Sequence, residues 1–500
     1  MPDGLKVVLW PMLLAFVLTA LAEACLMQPR PFLRRPAWTC ALHAGSVGVL
    51  FVLGLLVFRR PWFAACQPLA WHFLLLAVNW VKRDALREPF VFQDFEYFVD
   101  LLRHPRLYLP FFGYCNALLG IAAAVIFITT GMLLEPGLDA KLFRQGVLLS
   151  ALLTVLALLV GWWHGRRIVA SFDADADLRC FGLAANLWLY ALAERRKPQL
   201  PSRFVGQLSL LAAENTPHLV VVQSESFFDA RRVYEGVAPS VYAWLDAAKA
   251  DAVLHGLLEV PAWGANTVRS EFAFLSGLRN EALGVHRFNP YRRLREVDTV
   301  AWALRRAGYR TVCVHPYSAN FYQRDRQFPL FGFDEFVDIR AFSAEDRVGA
   351  YIGDIAVADR VAELLQAADA PLFVFVITME NHGPLHLETV GAGDEAMLYS
   401  GQPPSGHADL TAYLRHIVNA GQMQQRLCDC LAAQSRDGWL CWYGDHLPIM
   451  PSVYRQAGFE DARTDYFIWH ARRPASASTR RDMHMADLAE NLLSVMQGAR

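Results

Sequence analysis

Five long apolar runs fill the first third of the chain, and short apolar runs alternating with helical patterns fill most of the rest. The long runs are Val7–Leu26, Trp38–Phe58, Trp62–Val81, Leu109–Leu134 and Val147–Trp163. A membrane-spanning helix needs roughly 20 apolar residues, so these runs predict about five transmembrane helices within residues 1–168. The second and fourth contain no charged residue, whereas the first contains Pro11 and Glu23. Gln67, His72 and Asn79 mark the third as a helix facing its neighbours or a polar cavity. Trp162 and Trp163 suit the fifth to anchoring at an interface. No small-residue cleavage site follows the first run, which reads as a retained helix rather than a signal peptide.

Residues 169–216 read as a linker. In Leu178–Leu192, Phe181, Ala185, Trp188 and Leu192 recur on one face at helical spacing. Such a helix lies along a membrane surface or packs on a soluble domain; the pattern favours neither.

From His218 onward the runs shorten. His218–Gln223, Tyr309–His315, Leu372–Thr378, Trp439–Tyr443 and Tyr466–Trp469 predict buried strands, with helical patterns such as Val297–Ala307 and Asp354–Ala367 between them. This alternation predicts an α/β catalytic domain over 217–500 with a largely parallel sheet. Ligands bind such sheets beyond the carboxyl ends of the strands. Four of the five runs end in chemistry-bearing residues: Ser224-Glu225-Ser226, His315, Thr378 with Glu380-Asn381-His382, and Gly444-Asp445-His446. Asn266 is a good helix N-cap, which puts Thr267 in the first turn of a helix, where free N–H groups favour an anion. A threonine hydroxyl is a weak nucleophile until its proton is removed. A divalent metal beside it does that and neutralises a phosphate oxygen; Glu225, Asp445 and His446 have the side chains to hold one.

Composition narrows the class. A formal net charge of −1 lacks the basic footprint of a nucleic-acid binder, so no nucleic-acid partner is expected. Mean hydropathy is positive, at +0.21, because of the first third. The nine cysteines show no zinc-ligand spacing.

At its strand ends the sequence resembles the lipoteichoic acid synthase and phosphoglycerol transferase family of the alkaline phosphatase and sulfatase superfamily. The resemblance rests on an ordered set: Val220 to Asp229, Asn266 to Phe272, His315-Pro316-Tyr317, Phe321 to Asp325, Gly332-Phe333-Asp334, Ile377 to Pro384 and Gly444 to Pro448. It implies an alkaline phosphatase/sulfatase-like α/β domain, with a mixed but mostly parallel sheet, following a five-helix transmembrane domain. Glu225, Asp445 and His446 are implied as metal ligands, with Thr267 as both ligand and nucleophile. Such oxygen-rich ligands suit manganese first and magnesium second. His382, Arg324, His315 and Tyr322 match positions that hold phosphate and headgroup, and His382 is also a catalytic acid or base. Arginine suits bidentate phosphate contact. The implied reaction moves phosphoglycerol from a phosphatidylglycerol-like donor to a hydroxyl of a glycan or glycerophosphate polymer. Thr267-Val268-Arg269-Ser270 lacks the C/S-x-P-x-R motif of true sulfatases, which argues against sulfate ester hydrolysis. Two rivals share these residues in part: a phosphoethanolamine-type transferase or phosphodiesterase, and a non-enzymatic membrane sensor or assembly partner.

Two signals disagree on sidedness. Arg30, Arg34 and Arg35 in the first loop and Lys82, Arg83, Arg87, Arg103 and Arg106 in the third favour those loops in the cytoplasm. With five helices the catalytic domain follows them. The resemblance implies a multi-pass inner-membrane protein whose catalytic domain faces outward. The acidic residues Glu88, Asp94, Glu96 and Asp100 of loop three limit the weight of the basic count, and the outward assignment is the expectation.

Overall fold

The described part of every long apolar run lies largely on helix in the computed structural model, which describes residues 3–26, 34–103, 105, 113–198, 200–204, 216–294, 297–404, 406–472 and 477–498. Leu109, where the fourth run was expected to begin, lies outside these residues, as do Arg30 and Arg106. Two compact units divide the chain, Met1–Arg196 and Lys197–Arg500. Among the described residues of the first unit, four helices are long and apolar enough to cross a membrane: Leu5–Cys25, Ala37–Phe58, Pro61–Leu86 and Ala140–Gly165. Tyr114–Leu134 adds a fifth apolar helix, so the expected number of five is approximate.

Small residues let the second and last of these helices approach closely, as lipid-embedded helices favour. A Cβ on Gly48 would stand 2.3 Å from Thr154 Oγ1. Polar side chains of this unit turn inward. His72 and Asn79 are buried, and the Asn79 carbonyl accepts from the Phe90 amide at 2.8 Å. Buried Glu23 forms an ion pair with Arg35, and His43 Nδ1 stands 3.3 Å from the other Glu23 oxygen. Lys82 contacts Asp94 at 2.6 Å and Glu88 at 3.0 Å, and Arg83 pairs with Asp175.

The continuous helix expected over Leu178–Leu192 is two helices, Ala174–Phe181 and Leu183–Ala193. Gly182 breaks it at φ +77°, a conformation that costs glycine little. A Cβ there would lie 2.0 Å from Arg35 Nη1, so the break brings backbone directly onto the buried ion pair.

The second unit is built on a nine-stranded sheet among the described residues. Its strands are β1 (His218–Ser224), β2 (Leu254–Glu259), β3 (Arg310–Val314), β4 (Glu335–Val337), β7 (Leu372–Ile377), β8 (Gly438–Gly444), β9 (Thr464–His470), β10 (Thr479–Arg480) and β11 (Met483–His484). Two further short strands, β5 (Arg347–Val348) and β6 (Tyr351–Ile352), pair only with each other. The order is β10-β2-β9-β8-β1-β7-β3-β4, with β11 also on β2. From β8 to β4 all neighbours are parallel, while β9 runs antiparallel to both β8 and β2. The sheet is therefore mixed and mostly parallel. Alternating residues feed two cores. Val220, Val222, Val374, Val376 and Trp442 point to one face, and Leu219, Val221, Phe373, Phe375 and Tyr443 to the other. Strands buried on both faces read as continuous apolar runs, which is why β1, β7 and β8 stand out in the sequence.

Register sets the site. Ser224 at the end of β1 pairs with Gly444 at the end of β8. The Gly444 backbone lies so close to the next turn that a Cβ would meet the Phe227 carbonyl oxygen at 1.8 Å. Overpacking against backbone costs about 1–3 kcal/mol. Gly444→Ala is expected to lower stability by that amount, measured as a lower denaturation midpoint of the full chain in detergent; an unchanged midpoint would mean that this contact relaxes freely.

Candidate active site

Four side chains converge beyond the carboxyl ends of β1 and β8. Glu225 follows β1; its amide donates to Thr378 Oγ1 at 2.9 Å, and Asn381 Nδ2 donates to its carbonyl at 3.2 Å. Ser226 takes a left-handed backbone, φ +55°, so that its amide reaches Asp445 Oδ1 at 2.8 Å while its hydroxyl donates to Glu225 Oε1 at 2.8 Å. The His446 amide also donates to Asp445 Oδ1, at 2.9 Å.

The atoms left over face one another. Asp445 Oδ2 is buried and accepts no hydrogen bond. His446 Nδ1 donates to the Leu447 carbonyl at 2.9 Å, which in the neutral ring leaves Nε2 with the lone pair. That Nε2 lies 3.3 Å from Asp445 Oδ2, 3.6 Å from Glu225 Oε1 and 3.4 Å from Thr267 Oγ1. One ligand atom each from Glu225, Asp445 and His446 falls within 4.8 Å of the others. A cation about 2.0–2.2 Å from each donor fits that spacing, and the orphaned buried Oδ2 is where one is needed. Burial pushes the Asp445 carboxyl up to about 7, against the pull of His446 and with the push of Glu225. Burial opposes protonation of His446, but the two carboxylates outweigh it and raise the ring's pKa.

Thr267 opens the helix Thr267–Ser276. Asn266 does not cap this helix with its side chain as expected. It holds a left-handed backbone at φ +71° with no side-chain cap bond, a conformation that asparagine tolerates better than most residues. One turn on, the Ser270 hydroxyl donates to the Asp445 carbonyl and ties this helix to the end of β8.

Arg324 does not present a free fork. Its Nη2 donates to Glu271 Oε2 at 2.7 Å, its Nε reaches both Glu271 oxygens, and its Nη1 lies 3.1 Å from His315 Nε2. Arg324 is 1% exposed and Glu271 is fully buried. The Tyr291 hydroxyl donates to the same carboxylate. His315 completes the chain through Nδ1, 3.1 Å from the Ile377 carbonyl. Burial, then the Arg324 charge, holds its pKa well below the usual range, so His315 is neutral, with Nδ1 protonated and Nε2 accepting from Arg324. Tyr322 carries a left-handed backbone, φ +55°, and its ring centroid lies 5.2 Å from the Arg324 guanidinium carbon. His382 is half-buried. Its Nδ1 donates to the Gly383 carbonyl at 2.8 Å and lies 3.2 Å from the Tyr351 hydroxyl, which directs the lone pair to Nε2.

The structure thus brings together Glu225, Thr267, Asp445 and His446, and places Arg324 and His315 in a buried network anchored by Glu271. Sequence reading marked Ser226 and Thr378 only as polar strand ends and assigned no role to Glu271 or Tyr351. Glu271 lies four residues after Thr267, within the Asn266 to Phe272 stretch of the resemblance, and that placement was its signal.

Residues 217–499 match the model of the family described as sulfatase. The chain belongs to the sulfatase family. Among curated relatives of this sulfatase-family chain, the capsular polysaccharide biosynthesis protein RkpI of Rhizobium meliloti is 28% identical over 439 residues, covering 82% of this chain and 77% of RkpI. Among solved structures, the lipooligosaccharide phosphoethanolamine transferase EptA of Neisseria meningitidis shares the fold at TM-score 0.56 and 13% identity, over 92% of this chain and 88% of that one. The Streptococcus pyogenes phosphoglycerol transferase GacH, in complex with sn-glycerol-1-phosphate, aligns at TM-score 0.45 and 22% identity, over 56% of this chain and 74% of that one.

Removing one partner of a buried ion pair leaves the other charge uncompensated and costs about 3–5 kcal/mol. Glu271→Ala should destabilise the protein on that scale, and adding Arg324→Met should restore much of the loss. Denaturation of the full chain in detergent reads both; a cost below about 1 kcal/mol for Glu271→Ala alone would show that the pair is not a structural lock.

Proposed function

We propose that this chain is a metal-dependent phosphoglycerol transferase of the bacterial inner membrane, with a phosphatidylglycerol-like donor and a glycan or glycerophosphate-polymer acceptor. One observation carries the reading: a buried threonine hydroxyl at a helix start stands 3.4 Å from an imidazole nitrogen that also faces an unpartnered carboxylate oxygen.

Glu225, Asp445 and His446, with the Thr267 hydroxyl, would hold a divalent cation, manganese first and magnesium second. When bound, it lowers the hydroxyl pKa and neutralises phosphate charge. Thr267 Oγ1 releases its proton to solvent and attacks the donor phosphorus. The bond from phosphorus to the diacylglycerol oxygen breaks, and diacylglycerol leaves as the alcohol, taking up a proton. Phosphoglycerol remains on Thr267 as an ester. An acceptor hydroxyl then attacks the same phosphorus, and Thr267 recovers its proton as the ester bond breaks. His382 Nε2 carries the proton of the leaving or entering oxygen, held for this by the Gly383 carbonyl and Tyr351. Tyr322 is assigned to the headgroup side, with Arg324, buried on Glu271 and His315, against its ring. The name of RkpI supports an acceptor of the polysaccharide class.

An outward-facing catalytic domain is part of the proposal. Its support is that Arg35, Lys82 and Arg83, which weigh toward the cytoplasm in the basic count, each pair with a carboxylate in the structure.

Incubation with headgroup-labelled phospholipids, followed by mass spectrometry, tests the chemistry. A phosphoglycerol adduct on Thr267 is expected, absent in Thr267→Ala, with turnover falling at least ~10³-fold. An ethanolamine-phosphate adduct would replace the donor assignment, and normal headgroup release by Thr267→Ala would sink the mechanism.

Metal removal provides a second test. Asp445→Asn and His446→Ala should lose most bound metal and activity, and chelated protein should recover best with manganese. Full activity after exhaustive chelation would refute the cation.

Sidedness is read separately. A reporter active only outside the cytoplasm should work when fused after Arg500. A silent fusion there, together with a working cytoplasmic reporter, would reverse the orientation and exclude the proposed acceptor class.

A further inference from the structure

A slot in the first unit has chemistry that the catalytic reading does not use. Helices Ala37–Phe58 and Ala140–Gly165 meet along a tight seam, where a Cβ on Gly161 would stand 2.7 Å from the Leu42 side chain. Beside that seam, Trp188, Leu189 and Leu192 of helix Leu183–Ala193 join the same two helices around an apolar slot of about 310 Å³. Trp188 is fixed there by its Nε1, which donates to Ser46 Oγ at 2.9 Å. Val155, on the wall of the slot, is 52% exposed.

Arg166, the residue after helix Ala140–Gly165, also lines the slot. Its guanidinium carbon lies 3.7 Å from the Trp163 ring centroid and 5.3 Å from that of Trp162. The ring faces hold it, yet among the described residues its side chain makes no hydrogen bond or ion pair. Guanidinium carries five donors, and tryptophans at a helix end mark the depth of lipid headgroups. In the remaining lining, besides the Trp188 indole, already bound to Ser46, only Trp162 adds a polar side-chain group, and an indole N–H also donates. The occupant must therefore be apolar along the slot and anionic at its end.

We infer that the slot holds one anionic glycerophospholipid of the surrounding bilayer as a resident lipid, with an acyl chain along the slot and the phosphate on Arg166. The lipid is bound and released unchanged, so the inference stands apart from the transfer reaction.

The full chain, reconstituted in nanodiscs of equal phosphatidylglycerol and phosphatidylcholine and then transferred to mild detergent, tests it by native mass spectrometry. One phosphatidylglycerol per chain should remain bound, in at least about fivefold preference, the weight of one cation at a lipid surface. Arg166→Gln should remove the preference and Arg166→Lys should keep part of it. Val155→Trp, at an exposed position, should fill the slot and abolish retention of either lipid. Equal retention of both lipids by the unaltered protein, or retention unchanged in Arg166→Gln and Val155→Trp, would overturn the site. So would a bound species that is diacylglycerol in the unaltered protein and intact lipid in Thr267→Ala, because the slot would then hold the reaction's donor.

Discussion

Parallel pairing of β1 with β8 is the constraint on which the catalytic unit depends. It sets Ser224 opposite Gly444, so that the next residues, Glu225 and Asp445, emerge at one edge at the same height. The Ser226 amide then bonds to Asp445 Oδ1 and locks the two strand ends together. Slipping the register by one residue would turn every side chain of the strand to the other face and separate Glu225 from Asp445. The continuous apolar filling of both faces forbids that slip, so the hydrophobic core and the polar site are specified by the same residues.

A shell of neutral and charged hydrogen bonds surrounds the converging atoms. Glu225 is held through its backbone by Thr378 and Asn381, and Asn381 Oδ1 lies 3.3 Å from His416 Nδ1. His446 is held by the Leu447 carbonyl. Each contact leaves one chosen atom facing the centre. The Glu271–Arg324 pair does the same for the wall behind Thr267, since it fixes the tautomer of His315 and with it the direction of each donor. Groups fixed before substrate arrives need little reorganisation during reaction.

Strands buried on both faces were legible because nothing polar interrupts them, and their last residues led directly to Glu225, Asp445 and His446. The short strand β2 was not legible. Its sequence, Leu254-His255-Gly256-Leu257-Leu258-Glu259, has a glycine and polar positions that suit a half-buried strand crowded between β9 and the short strands β10 and β11. Gly256 is there because a Cβ would meet the Arg481 carbonyl at 2.2 Å, a contact with a residue 225 positions away. Glu271 was overlooked for a similar reason: a glutamate on a helix reads as solvated until its arginine, 53 residues on, is brought against it. The helix break at Gly182 likewise depends on Arg35, far away in sequence. Local pattern reports local burial, and each of these features is a long-range contact.

The separation of the ligands in sequence has a consequence for biogenesis. Ser226 and Asp445, joined by one hydrogen bond, are 219 residues apart, and β8 is flanked on its other side by β9, which comes later still. During synthesis, Thr267 and Glu225 therefore emerge long before the pair that completes their site. Contacts this distant in sequence form late, after the entropy of closing the intervening chain has been overcome. Under the proposed mechanism, a nascent chain would thus carry Thr267 in an inert form, and reactivity would begin only when nearly all of the second unit has folded.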